Sequence, residues 1–305
     1  MRHRNLVLFA TLATVWGSAF VAIKAGLGTP AEPAGFFETP VLFAALRFDI
    51  AGVVMIGYAA VATDRLRPES RREWASVLST AVLIITLYHA LLFVGETDPA
   101  VTSAAAAIVV SLSPVLTAGF SRLLLPSERL TPLGVVGLLL GFVGVATLAV
   151  KDPRRLTVAP GLVAVFFAIL AFAAGSVINR RLDVALPDAS LEAWAMVIGA
   201  VLLHVGSLAV GESPADVTVT PRAIGALLFL ALVASAVGFL IYFDLLARLG
   251  PIEINLVSYA APIVTALVGF LFLREVIDAQ TVLGFTVILA GFLLIKRRAV
   301  AATLR

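Results

Sequence analysis

The sequence predicts an all-α membrane protein of ten transmembrane helices, folded as two inverted five-helix repeats. Its 305 residues are 61% hydrophobic and only 13% charged, too little polar surface to cover a soluble globule, so lipid must solvate most of the chain. Apolar runs of about 20 residues, enough to cross a bilayer, recur from end to end. The second half also repeats the first. Residues 98–128 hold an apolar run broken near its middle by Pro114 and closed by Glu128 in a basic turn. Residues 250–275 return the pattern, with Pro262 answering Pro114, Thr265 answering Thr117 and Glu275 answering Glu128, and Pro262 lies 148 residues after Pro114.

The runs fall near 6–27, 40–62, 74–95, 99–124, 131–150, 159–180, 190–210, 222–246, 251–273 and 279–296. Backbone groups in lipid must bond within their own segment, and the short alternation of an outer-membrane barrel is missing, so each run is expected as a helix. The first run lacks an A-x-A-like cleavage site and reads as a retained span, not a signal peptide. With no cysteine there is no disulfide, thiolate metal site or cysteine nucleophile. The net charge of +3 and pI near 9.6 do not point to nucleic acid, because the basic residues sit in short turns between apolar runs. Membrane orientation explains them: with the amino terminus inside, fifteen of the 22 Lys and Arg collect on the inner side and five outside. Lys24 and Arg47 lie within helices, and Lys151, Arg154 and Arg155 are the outer exception. Both termini are therefore expected in the cytoplasm, in a multi-pass cytoplasmic-membrane protein. Five helices per half is an odd number, so the second half enters upside down, and the repeats divide at 1–150 and 151–305.

Several residues stand out along the helices. Trp16, Phe20 and Lys24 share a face of helix 1 at i, i+4, i+8, an aromatic wall ending in a cation near the outer surface. Lys24 could attract a carboxylate substrate, but a lysine at a helix end more often snorkels to the headgroups. Arg47 lies about a third of the way into helix 2, where an unpaired guanidinium is expensive. Asp49, at i+2, points elsewhere, which leaves Glu96 or Asp98 as the expected partner and makes Arg47 a structural clamp. His89, beside Tyr88 in helix 3, and Asp244, beside Tyr242 in helix 8, are the candidates for a proton-linked step. Asp244 precedes Arg248 by four residues, however, so an ordinary ion pair is expected there, and His89 and His204 read equally as hydrogen-bonded packing residues. In helix 4, Ser103, Ala107 and Ser111 form a small-residue stripe, and Asn255, Tyr259 and Pro262 form a polar one in helix 9. Such stripes serve either close packing or a cavity wall. Pro114 and Pro262 remove backbone donors in mid-membrane, which fits a paired bend beside a water-filled path, or else a static kink. Gly134, Gly137, Gly141 and Gly144 line helix 5 and Gly284 and Gly291 punctuate helix 10, for packing within a monomer in preference to a homodimer.

W-G-S-A-F-V-A-I-K at 16–24, A-L-R-F at 45–48, the serine–proline helix with its glutamate turn at 111–128, and the return of proline and glutamate at 262 and 275 resemble the EamA type of the drug/metabolite transporter superfamily. The resemblance covers nearly the whole chain. It implies a ten-helix carrier of small metabolites whose cavity is lined mainly by helices 1, 3, 4, 6, 8 and 9.

An intramembrane transferase would need clustered carboxylates for magnesium and pyrophosphate, and none appear. The sequence also lacks H-E-x-x-H, a glycine-rich phosphate loop and a G-x-S-x-G elbow. A carrier is therefore expected, not an enzyme, with no cofactor and no metal, taking a small-molecule substrate. Export of small amphipathic metabolites such as amino acids leads; a lipid-linked sugar flippase or a multidrug efflux carrier is the alternative. The expected contacts are Trp16, Phe20, Tyr88, Phe239 and Tyr242 as walls and Lys24, His89, Ser111, Asn255 and Tyr259 as polar groups. Glu128 and Glu275 are expected as structural charges.

Overall fold

The structure, a computed structural model, describes residues 2–28, 34–124, 132–152, 157–249, 254 and 256–303. Helix starts follow local chemistry. Pro40, Pro160 and Pro221 open helices at positions where a missing N–H costs nothing. The Thr102 and Thr220 hydroxyls accept from backbone N–H groups three residues on, and Ser70 with Glu73 forms a reciprocal capping box. Asp183 and Arg274, both left-handed, end two of the helices.

Among the described residues ten long helices result. They are α1 (Arg2–Leu27), α2 (Pro40–Ala62), α3 (Arg71–Thr97), α4 (Ser103–Leu124), α5 (Pro132–Ala149), α6 (Pro160–Leu182) and α7 (Asp188–Ala209). Next come α8, formed by Pro221–Leu228, Phe229–Val237 and Gly238–Leu249 in succession, then α9 (Val257–Leu273) and α10 (Ala279–Thr303). Seven are long and apolar enough to span a bilayer, and α5, α9 and α10 carry shorter apolar stretches. A small antiparallel pair, β1 (Val150–Asp152) with β2 (Thr157–Val158), joins the halves. Val61 at 91%, Phe272 at 77% and Val53 at 73% exposure are tolerable only with lipid as their solvent.

The inverted repeat is written into the packing. Helix α2 lies on its counterpart α7, and α5 on α10. Exchange of the halves turns the α1–α9 contact into α6–α4, and the α3–α6 contact into α8–α1, and all four contacts are present. The glycines explain the α5–α10 seam: a Cβ on Gly144 would lie 2.8 Å from the Gly284 carbonyl, and one on Gly291 would lie 2.5 Å from that of Gly137. The stripe serves contact between the two halves of one chain. Gly144→Val is expected to cost about 1–3 kcal/mol through overpacking. It should lower the melting temperature in detergent, while Gly225→Ala, whose new methyl meets nothing within 4 Å, should not. Equal melting of both variants would show that the seam tolerates separation.

Two departures from the expected helices bear on function. The first is a π-helical turn in α3 (Thr80–Leu87), answered by one in α8 (Phe229–Val237) at nearly the corresponding place of the second half. A π segment leaves carbonyls out of the regular ladder and often accompanies a functional site. The second concerns the prolines. Helix α4 is interrupted at Ser111 and Leu112, and Pro114 falls in the first turn of its second piece, Ser113–Leu124. It needs no partner for a missing N–H there, so it is not the mid-helix gap the sequence predicts. Pro262 is inside α9 and buried. The two prolines therefore do not form a matched pair of bends.

Candidate functional site

One end of the bundle is sealed by polar contacts. Lys24, only 8% exposed, donates from Nζ to the carbonyls of Glu96 at 2.7 Å, Val101 at 2.9 Å and Asp98 at 3.1 Å, so α1 grips the α3–α4 turn. Its ammonium neither snorkels nor faces a ligand, because three carbonyls already take its three hydrogens. The Glu275 carboxylate, following α9, accepts from the Ser103 N–H and hydroxyl at 3.1 Å and so caps α4. At the same end an aromatic plug forms, in which Phe43 stacks on Phe36 at 4.3 Å and meets Phe93 edge-on at 5.2 Å.

Beneath the plug lies a cavity of about 350 Å³, within the range of small-molecule sites. It runs from Ile23, Arg47 and Leu92 toward Asn179, Glu192 and Ile254 near the other end. Its aromatic walls repeat the inverted symmetry. Trp16 of α1 meets Phe239 and Tyr242 of α8 at 5.9 and 5.5 Å, and Phe172 of α6 meets Tyr88 of α3 at 5.4 Å. The π turns hold these groups. Trp16 Nε1 donates to the Ala234 carbonyl at 3.1 Å, in the π turn of α8. His89 Nδ1 lies 3.0 and 3.2 Å from the carbonyls of Ile85 and Ile84, in that of α3. Both partners are acceptors, so Nδ1 carries the hydrogen.

Trp16, Phe20, Tyr88, His89, Phe239 and Tyr242 all line this cavity, brought together as the sequence suggests. Other expectations are corrected. Ser111 is fully buried and donates to the Ile108 carbonyl, and its neighbour Ser113 takes the place on the cavity wall. Tyr259 faces α10, its ring 4.4 Å from Phe292, and its hydroxyl has no hydrogen-bond partner. Pro262 borders a separate groove of about 430 Å³ between α4, α9 and α10. Asn255 and Glu128 lie outside the described residues.

The clamp expected of Arg47 is absent. Both carboxylate oxygens of Glu96 are without a hydrogen-bond partner, and those of Asp98 accept from Ala100 and Gly161 N–H groups. Arg47 instead donates from Nε to Ser235 Oγ at 3.1 Å and lines the cavity. Among the described residues, helices α1, α3, α4, α6, α8 and α9 supply the lining apart from Ile254, which precedes α9, and the two charged members, Arg47 from α2 and Glu192 from α7. Glu192 and Asn179 were missed by sequence reasoning. Asn179 Oδ1 accepts from the Ser76 and Ser79 hydroxyls at 3.1 and 2.9 Å, and its amide donates to Thr80, tying α6 to α3. Away from the cavity, Asp244 pairs with Arg248 at 2.8 Å and with Arg4 at 3.3 Å, and His204 with Asp49 at 2.8 Å. Among the described residues no group of three His, Asp or Glu side chains converges as a metal site.

An inverted helical bundle around an aromatic cavity is an arrangement that transport can use, and comparison with known proteins decides the family. The EamA-like transporter family model matches twice, at residues 4–150 and 159–297. The chain belongs to the EamA-like transporter family. It is 25% identical over 295 residues to an uncharacterized transporter of Archaeoglobus fulgidus, covering 97% of this chain and 99% of that protein. The uncharacterized transporter YvbV of Bacillus subtilis is 26% identical, covering 98% and 94%. The uncharacterized inner membrane transporter YedA of Escherichia coli K12 is 28% identical over 279 residues, covering 88% and 84%. A crystal structure matches in fold with a TM-score of 0.64 at 22% identity, over 98% of this chain and 99% of that one. This EamA-family protein is a multi-pass membrane transporter.

Proposed function

We propose that this EamA-family protein is a secondary carrier of the cytoplasmic membrane that exports small amphipathic metabolites, amino acids among them, by alternating access. The observation that carries the reading is the cavity between the inverted halves, aromatic on two symmetric walls and sealed at the Lys24 end. Inverted repeats can rock about such a site, since each half presents the same surfaces to the other in opposite sense. Tryptophan, phenylalanine and tyrosine side chains suit an apolar substrate body, and Asn179, His89, Ser113 and Ser258 offer hydrogen bonds. Nothing in this scheme needs a cofactor, a metal or a nucleic-acid partner.

A flippase reading draws on the lateral groove at Pro262. That groove is bordered by apolar side chains apart from Thr281, which suits lipid tails and not a sugar headgroup. The reading takes both termini as cytoplasmic and the Lys24 end as outside, an orientation supported by the charge bias of the turns.

Counterflow tests the reading. Proteoliposomes loaded with a mixed pool of unlabelled amino acids should take up labelled ones faster than empty liposomes. Wild-type uptake no faster than that of empty liposomes, for every amino acid, would overturn it. Orientation is read separately, because the chain has no cysteine of its own. Cysteine at the exposed Ala215 should react with an impermeant maleimide in intact cells, and cysteine at the exposed Arg67 only after permeabilisation.

A further inference from the structure

We infer that Arg47 is the receptor for an acidic group on the transported molecule, a carboxylate held at the sealed end of the cavity. The inference rests on the carrier reading above and deepens it by naming what the cavity recognises.

Three observations converge on Arg47. The side chain is only 7% exposed, yet it lines the cavity, so its remaining surface faces the space a substrate would fill. Its Nε is tied to Ser235 Oγ, and its guanidinium carbon lies 5.1 Å from the Phe48 ring centre, which fixes the group on α2 between α3 and α8. No carboxylate neutralises it. The Asp98 oxygens are engaged by the Ala100 and Gly161 N–H groups, the Glu96 oxygens make no hydrogen bond to it, and among the described residues no acidic side chain forms an ion pair with it. A guanidinium held in a membrane without a counter-ion is expensive, and such residues mark substrate paths. Fixed by Nε, the group keeps its terminal N–H donors for a planar two-oxygen acceptor, the geometry a carboxylate matches.

The groups facing Arg47 agree. Tyr88 and His89 of α3 also line the cavity: Tyr88 offers a hydroxyl and an aromatic face, while His89, its Nδ1–H directed at the Ile84 and Ile85 carbonyls, presents its ring. Among the described lining residues Glu192 is the only other charged one, in the second turn of α7 and toward the opposite end, and its Oε2 has no hydrogen-bond partner. An anion entering from that end passes a carboxylate before it reaches Arg47, so a molecule that also carries an ammonium is favoured over a simple acid. Carboxylate toward Arg47 and apolar body between Trp16 and Phe172 is the resulting orientation.

The test uses the counterflow assay with purified full-length protein. Uptake of a labelled mixed amino-acid pool is measured alone and against an excess of the matching amino-acid amides, which lack the carboxylate, or of the matching 2-hydroxy acids, which keep it. Wild type should be competed by the hydroxy acids and hardly by the amides. Arg47→Gln should lower uptake at subsaturating concentration about tenfold or more and erase the difference between competitors, with Arg47→Lys intermediate. Ser235→Ala, which frees the guanidinium but keeps its charge, should raise KM a few-fold and leave the preference. If Arg47→Gln fails to fold, the competition on wild type and on Ser235→Ala decides. Amides competing as well as hydroxy acids, or Arg47→Gln transporting like wild type, would overturn the inference while leaving the carrier intact. No counterflow by wild type with any pool would overturn the carrier reading and this inference together.

Discussion

Trp16→Ala is expected to lower counterflow about tenfold or more, a loss equal to roughly 1.4 kcal/mol of substrate interaction at least. Three structural facts combine at this residue. Its ring is the meeting point of Phe239 and Tyr242, its Nε1 holds the π turn of α8 through the Ala234 carbonyl, and its face borders the cavity. Aromatic pairs contribute about 0.5–1.5 kcal/mol each beyond their buried area, and both are lost at once. Trp16→Phe keeps a ring but not the donor and should fall between. Gly238 supplies an independent route to the same effect, because a Cβ there would sit 2.6 Å from Trp16 Nε1 and push the indole from its seat. Gly238→Ala should therefore resemble Trp16→Ala in transport while keeping the indole fluorescence. Normal counterflow in both variants would mean that this wall does not touch the substrate.

The second large effect is expected at Lys24. Lys24→Met keeps the length of the side chain and removes its charge, leaving the carbonyls of Glu96, Asp98 and Val101 without their shared donor. A buried acceptor left without its donor typically costs about 1–3 kcal/mol. The loss falls on one state of the carrier, the one sealed at this end, so the seal should open before the bundle unfolds. With a single cysteine at Leu92, which is 2% exposed beside the plug, impermeant maleimide should react faster from the Lys24 side in the variant than in wild type. Unchanged labelling, with unchanged melting, would show that Glu275 and the Phe36–Phe43–Phe93 stack hold the seal without it.

The two expectations about α1 show what a sequence carries and what it does not. Helical spacing alone put Trp16, Phe20 and Lys24 on one face, and that geometry is present. The environment at the end of the face was invisible, because whether a lysine reaches headgroups or a neighbouring turn depends on where α3 and α4 finish. Arg47 failed for the same reason: its candidate partners were close enough in principle, yet the Asp98 oxygens go to N–H groups of Ala100 and Gly161. Glutamate at 275 was legible as a repeat element, though its cap on Ser103 joins residues 172 apart. The π turns left no mark in composition, since Thr80–Leu87 and Phe229–Val237 read as ordinary apolar helix. Glu192 was overlooked because an acid in the second turn of a helix is normally an interfacial residue. It nevertheless lines the cavity, on a helix packed against α2.

The central claim, one cavity opened alternately to each side, is tested most directly by a single cysteine at Ala107, 2% exposed and on the cavity wall. Its reaction with an impermeant maleimide is followed from each side of the membrane, in oriented vesicles, with and without the amino-acid pool. Access from both sides, with the pool shifting the two rates in opposite directions, is the expected result. Labelling from one side alone under every condition, or an equal rise on both sides, would contradict the claim.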